Sequence, residues 1–426
     1  MAMLHPSDST FAQTDPLSPS LISSLFESSL GVSPANIESP TSSQGLYHKV
    51  YFITLAESAH SRWSGKDVVL RVARKAIEKI KIENEVAVIN VVRNAGLPVP
   101  EVLFYSSDPA NDLGFEYICV EKSPYPSLQD TWMSLSPEAL DNVLNQFVDF
   151  FIRMFTLELP RGGQFYGSLR VTEMEGRREV VPGPVLEETL WQLPDILRYY
   201  HAAPYNLTRE SFATLNPCRW YPSWVAYISA FLKCYYHVIL VHPSVSFLSC
   251  LLGPLQRLIE KLDNREIDWV RRLRDEKGLQ GRLWHRDLHF GNLLADEEGN
   301  IRAIIDWEFS GVGPSFHKTS SPVRNCISFA YSSEPTPSAD KLRLLDGWPE
   351  QFLSRLKAAS PSVYYQWIWE SDPEQVLGRE GKALSDVREY LRSCLEVGVR
   401  QWGNIEAGKG AWKDMVESRL RELECW

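Results

Sequence analysis

Positive charge is in short supply: 44 Lys and Arg stand against 54 Asp and Glu, for a formal net charge of −10. Sequence-independent nucleic-acid binding needs a basic footprint, so that class is set aside. A nucleotide is not excluded, because one loop and a metal ion can hold phosphates inside an acidic protein. Paired cysteines are also missing. The seven, at 119, 218, 234, 250, 326, 394 and 425, contain no C-x-x-C. An odd, scattered set argues against a disulfide framework or a thiolate zinc site, and for a reducing compartment.

The N-terminus lacks the basic start and apolar core of a secretory signal and is poor in the arginines of a transit peptide, so a cytoplasmic location is expected. Long apolar runs are scarce as well. Cys234 to Gln256 carries no Asp, Glu, Lys or Arg, but His237, His242, Pro243, Gly253 and Pro254 interrupt it. Two buried helices with a turn near His242-Pro243 are expected there, with no membrane partner.

What is present is an ordinary globular balance, 44% hydrophobic and 23% charged, in a chain long enough for two or three lobes. Ser and Pro dominate the first forty residues, around one helical pattern after Ser18-Pro19 (Leu21, Ile22, Leu25, Phe26). Residues 46–55 and 67–72 are β-rich, and 78–95 is helical, with Ile82, Val86, Ile89 and Val92 on one face and a stop at Gly96-Leu97-Pro98. Two more β-like runs follow at 101–105 and 115–121. Beyond Ser127 the pattern turns helical, most clearly over 137–155, 185–200, 224–239, 245–262 and several segments after Trp348. Within 283–306, two short β runs flank a Glu-Gly-Asn turn. The expected organisation is an arm over 1–40, a small β-rich lobe over 41–126 and a large helical lobe over 127–426.

The chemistry-bearing stretch is His285-Arg286-Asp287-Leu288-His289-Phe290-Gly291-Asn292, followed by Ile304-Ile305-Asp306-Trp307-Glu308. The first part fits the catalytic-loop pattern H-R-D-L-x-x-x-N. Phosphoryl transfer needs one carboxylate to orient and deprotonate a hydroxyl, and oxygen ligands to hold magnesium against the phosphates. Asp287 suits the first task. Asn292 and Asp306, at the two sides of a hairpin, suit the second. Taken singly, such residues are ordinary turn formers; the ordered set carries the reading. His285 and His289 have the spacing of helical zinc ligands, but Arg286 stands where a metalloprotease needs Glu and Gly291-Asn292 breaks any helix. His285 therefore reads as a brace for the loop backbone. No G-x-S-x-G elbow occurs, so a serine hydrolase fails.

These segments, LWHRDLHFGNLL and IIDWEFSGVGP, resemble the signatures of the aminoglycoside phosphotransferase and choline-kinase-like family, particularly its fungal members. The resemblance implies a two-lobed α+β, protein-kinase-like fold, ATP as donor and Mg2+ as cofactor. It implies Asp287 as catalytic base and Asn292 and Asp306 as magnesium ligands. It extends to Arg71, in the place of the kinase β3 lysine at the donor's phosphates, and to Glu85 as its partner, with Glu83 a nearby competitor. Gly45 would lie in a phosphate-covering loop in which His48 replaces the usual Asn. Glu121 and Ser123 would bind the base through a hinge in which Pro124-Tyr125-Pro126 replaces a glycine-containing turn. His289 in place of the γ-phosphate lysine, Asp306-Trp307-Glu308 in place of D-F-G and the lack of A-P-E favour a small-molecule hydroxyl acceptor over a protein. Asp372 and Glu374, after Tyr364, Tyr365, Trp367 and Trp369, offer a place for a cationic acceptor, or simply core aromatics. A binding or regulatory protein on the same scaffold is the competing reading.

Overall fold

Alternation along two strands sets the two faces of the small lobe. In β2 (His48–Leu55) and β3 (Asp67–Ala73), Tyr51, Ile53, Leu55, Val68, Leu70 and Val72 are buried together on one face. The period of two turns Val50, Phe52, Val69 and Arg71 to the other face, where they line a cleft. The computed structural model describes residues 17–38, 47–58, 61–73, 77, 79–174, 177–192, 210, 212–264, 266–275, 279–317, 322–332, 336–400 and 406–426. Helix α1 (Pro19–Leu30) covers the outer face of the sheet through Ile22 and Phe26. It starts at Ser18, whose hydroxyl caps Leu21 N–H with Pro19 following, and ends at Gly31 at φ 66°.

The sheet has five antiparallel strands in the order β1-β2-β3-β5-β4, with β1 at Pro34–Glu38, β4 at Val102–Ser106 and β5 at Tyr117–Glu121. β1 departs from expectation: Pro, Asn and Glu in PANIE give it little strand propensity, and pairing with β2 makes it. Helix α2 (Ile80–Asn94) buries Ile82, Val86, Ile89 and Val92, and Gly96 at φ 79° turns the chain out of it.

The remainder is mainly helical, which gives the two-lobed α+β arrangement. Helix α3 (Leu128–Thr131) is a single turn, and α4 (Pro137–Phe155) occupies the predicted span. The apolar stretch forms Trp224–Val241, a 3-10 segment Pro243–Leu251 and a helix Leu252–Asp263. Trp224–Val241 is long and apolar enough to cross a membrane by length and composition, yet 61% of it is buried inside the fold. All seven cysteines are free thiols.

Two expectations fail here. Residues 168–183 form a hairpin, β6 (Ser168–Met174) with β7 (Arg177–Gly183), in a stretch expected to be helical. It is held by Asn84, whose side-chain oxygen accepts from Leu169 N–H (2.8 Å). The helix expected over 185–200 is also corrected: Glu187 N–H is committed to Asn216 Oδ1 (2.9 Å), and only the 3-10 turn Thr189–Gln192 follows. Residues 193–200 lie outside the described residues.

Candidate active site

Two short ladders bring the predicted polar residues together. β8 (Arg282–Trp284) pairs with β11 (Gly311–Gly313), and β9 (Leu293–Ala295) pairs with β10 (Ile301–Ile304). The first ties the chain before Asp287 to the chain after Asp306; the second closes the hairpin between Asn292 and Asp306. Ile305 is bonded on both sides: its N–H donates to Asn292 O (3.0 Å) and its carbonyl accepts from His285 Nε2 (2.8 Å). His285 is buried against Trp307, so the bracing role expected for it is what the fold shows. Asp306 then turns at φ 66°, a left-handed conformation that Asp adopts more readily than most non-glycine residues.

Asp287, Asn292, Asp306, Arg71, Glu85, Glu121 and Ser123 all line one cleft of about 700 Å3 between the sheet and the helical lobe. Gly45 lies outside the described residues. The Asp287 side chain is 63% exposed. Asn292 Nδ2 donates to the Asp287 carbonyl (2.8 Å) and lies 3.4 Å from Asp287 Oδ2. With its nitrogen so engaged, Oδ1 is the acceptor that Asn292 has left.

Arg71 joins Glu85 through Nη1, while its Nη2 donates to Asp306 Oδ1 (2.8 Å) and sits 3.1 Å from His48 Nδ1 and 3.8 Å from Glu308 Oε2. Burial opposes the Arg71 charge, but the carboxylates of Glu85, Asp306 and Glu308 outweigh it and hold the guanidinium firmly protonated. For Glu85 the balance runs the other way. Burial pushes its carboxyl up to about 7 against the pull of Arg71, and its second oxygen has no hydrogen bond. Glu83 instead accepts from Ser107 Oγ (3.2 Å), so the fold chooses between the two candidates.

At the hinge, Glu121 N–H donates to Glu101 O (2.9 Å) and Lys122 N–H to Asp67 O (3.2 Å). Tyr125 and Phe52, both exposed aromatics, also line the cleft. The aromatic stretch 364–369 and Asp372 and Glu374 are not among the residues lining this cleft. Trp367 belongs to the core, while Tyr365 and Trp369 are exposed elsewhere.

No group of three His, Cys, Asp or Glu among the described residues is arranged to hold a metal. A magnesium site takes one or two protein oxygens and fills the rest with phosphate and water. Asn292 Oδ1 and the Asp306 carboxylate, one of whose oxygens is on Arg71, are a hard-oxygen set of that kind.

Three contributors were not among the predicted site residues. Glu308 is buried, with Oε2 2.9 Å from His48 Nδ1. His48 is buried as well, and its signal was the break in the family pattern at that position. Glu188 lines the cleft from a loop that sequence reasoning made a helix. Burial, with Glu187, Glu308 and Asp287 nearby, pushes its carboxyl up to about 8 despite Arg392. The folded state therefore keeps a proton on Glu188 that the unfolded chain releases above the ordinary value of 4.5. This contribution lowers stability as pH rises from that value to about 8. Glu188→Gln is expected to raise the melting temperature at pH 8 and to match the wild type near pH 4; parallel melting curves for both proteins across pH check this.

The phosphotransferase enzyme family model matches residues 43–317. Altered inheritance of mitochondria protein 9, mitochondrial, of Candida tropicalis is 32% identical over 134 residues, 29% of this chain and 20% of that protein. A subtelomeric hrmA-associated cluster protein of Aspergillus fumigatus is 27% identical over 158 residues, 35% of this chain and 29% of that protein. The alignments thus span under a third of these curated relatives. Among solved structures, a thermostable mutant of an aminoglycoside phosphotransferase, in complex with ADP and hygromycin B, is 17% identical with a TM-score of 0.46, covering 94% of this chain and 98% of its own. Plasmodium vivax ethanolamine kinase is 13% identical with a TM-score of 0.40, covering 92% and 82%.

Proposed function

Because the chain belongs to the phosphotransferase enzyme family, we propose that it transfers the γ-phosphate of ATP to a hydroxyl of a small molecule, with magnesium as cofactor. The observation that carries this reading is the convergence of Asp287, Asn292 and Asp306 with Arg71 and Glu85 in one cleft.

In this reading the hinge backbone at Glu121 and Ser123 holds the base of the donor, with Val50, Val69, Ile89 and Val120 around it. Arg71, fixed by Glu85, presents a permanently charged fork to the α- and β-phosphates. Asn292 and Asp306 would hold the metal, which when bound would neutralise charge on the donor's phosphates. Asp287 accepts the proton of the acceptor hydroxyl as it attacks, and its orientation comes from Asn292. The acceptor enters beside Asp287, where Glu188 and Arg286 line the cleft.

Transfer of labelled phosphate from γ-labelled ATP to a panel of hydroxylated metabolites tests the reading. Removing magnesium with a chelator is expected to abolish both transfer and the ATP-induced rise in melting temperature, and restoring it to recover both. Transfer at full rate in chelator would remove the metal roles of Asn292 and Asp306. Magnesium-dependent ATP binding with no turnover on any acceptor or on water would favour the binding-protein reading.

A further inference from the structure

Outside the residues already given a role, the most unusual group in the small lobe is Lys81. It sits in the first turn of α2, one turn before Glu85 and on the same face, and is 0% exposed. Its ammonium donates to the Tyr47 carbonyl (3.3 Å) and lies 5.3 Å from the centre of the Tyr47 ring. No carboxylate among the described residues comes within ion-pair distance of it; burial, with Arg71 adding to it, pulls its ammonium below the usual lysine range, while Glu308, Glu116 and Glu85 pull the other way. Burying an ammonium on such terms costs several kcal/mol, and a Met or Leu of similar volume would serve packing better. Stability alone therefore does not account for a lysine here.

Its two contacts point to the donor-phosphate end of the cleft. Tyr47 lines the cleft and is the last residue before β2. Its ring packs edge-on against Phe309 (4.7 Å between centres), three residues past Asp306. The next residue, His48, reaches Arg71 and Glu308. Fixing the Tyr47 backbone therefore fixes the strand entry from which His48 meets Arg71. Charge gives the second reason. Arg71 faces the acidic side chains of Glu85, Asp306 and Glu308, which compete with an incoming triphosphate for its guanidinium. Lys81 is a second cation behind the same group.

We propose that Lys81 is a positioning residue for the donor: it tethers Tyr47 and supplies the positive charge that leaves Arg71 able to engage a nucleoside triphosphate. The inference rests on the phosphotransferase reading, and ATP binding separates the two. In the full chain, Lys81→Met and Lys81→Gln are expected to fold with melting temperatures at or above that of the wild type. Both are expected to bind ATP about tenfold more weakly by calorimetry, a loss of about 1.4 kcal/mol. In steady state the loss should fall on KM for ATP, with kcat held within about threefold, as for an interaction made equally in ground and transition states. Lys81→Arg should recover part of the affinity. Should Lys81→Met not fold, Lys81→Gln carries the test, since it keeps a donor for Tyr47 and removes only the charge. A folded variant that binds ATP within twofold of the wild type overturns the role of Lys81 alone. A wild type that binds no nucleotide overturns the phosphotransferase reading and this inference with it.

Discussion

Asp287→Asn is expected to lower kcat for phosphate transfer by about 10²–10⁴-fold, the range for losing a general base, while ATP affinity and melting temperature stay near those of the wild type. The fold supports that separation. The Asp287 side chain is largely exposed, and Asn292 Nδ2 at 3.4 Å and His289 Nε2 at 3.5 Å meet it from its own loop. The bond that holds the loop runs from Asn292 to the Asp287 carbonyl, which an asparagine keeps. Single-turnover transfer and calorimetry on the same preparation check both halves. Equal turnover in the two proteins would take the base away from Asp287.

The second large effect is on stability. Arg282, in β8 and three residues before His285, meets Glu370 in a bidentate pair (2.6 and 3.1 Å), and its remaining nitrogen donates to Phe155 O (2.8 Å). Glu370 also accepts from Ser315 Oγ (2.6 Å) and Gln366 Nε2 (2.9 Å), and both charged residues are buried. Removing one member of such a pair strands the other charge, at a cost of roughly 3–5 kcal/mol. Glu370→Ala is therefore expected to lower the urea midpoint sharply, whereas Glu370→Gln, which keeps one acceptor oxygen, loses less. Because Arg282 leads directly into the loop that carries Asp287, residual activity of Glu370→Ala below its unfolding range should also fall. A midpoint unchanged by Glu370→Ala would show the network to be dispensable.

What could be read from the chain follows the range of the signal. The strand around Arg71 is legible because Val68, Leu70 and Val72 alternate with residues of the other face, and α4 because its apolar face repeats at helical spacing. The loop chemistry is legible because Asp287, Asn292 and Asp306 sit close in sequence. Arg71 and Asp306 are 235 residues apart; the resemblance assigned one to the phosphates and the other to the metal, and their direct contact emerges only in the fold. Nothing local betrays β1, whose propensity is poor, or the hairpin β6–β7, whose strands carry charges at positions an exposed helix would also tolerate. The burial of Lys81 and the pairing of Arg282 with Glu370 were hidden for the same reason: a charged residue inside a helical or strand pattern looks like a solvated one until its surroundings are known.

The left-handed turn at Asp306 bears on how relatives of this chain should be judged. At φ 66°, Asp, Asn and Gly are the residues that fit with little strain. That backbone demand acts whether or not a metal is bound. In a descendant that has lost transfer, position 306 would thus drift slowly and within a narrow set, while the exposed, conformationally ordinary position 287 would be free to change. An acid at 287 is the better witness to living chemistry; an acid at 306 testifies first to the turn.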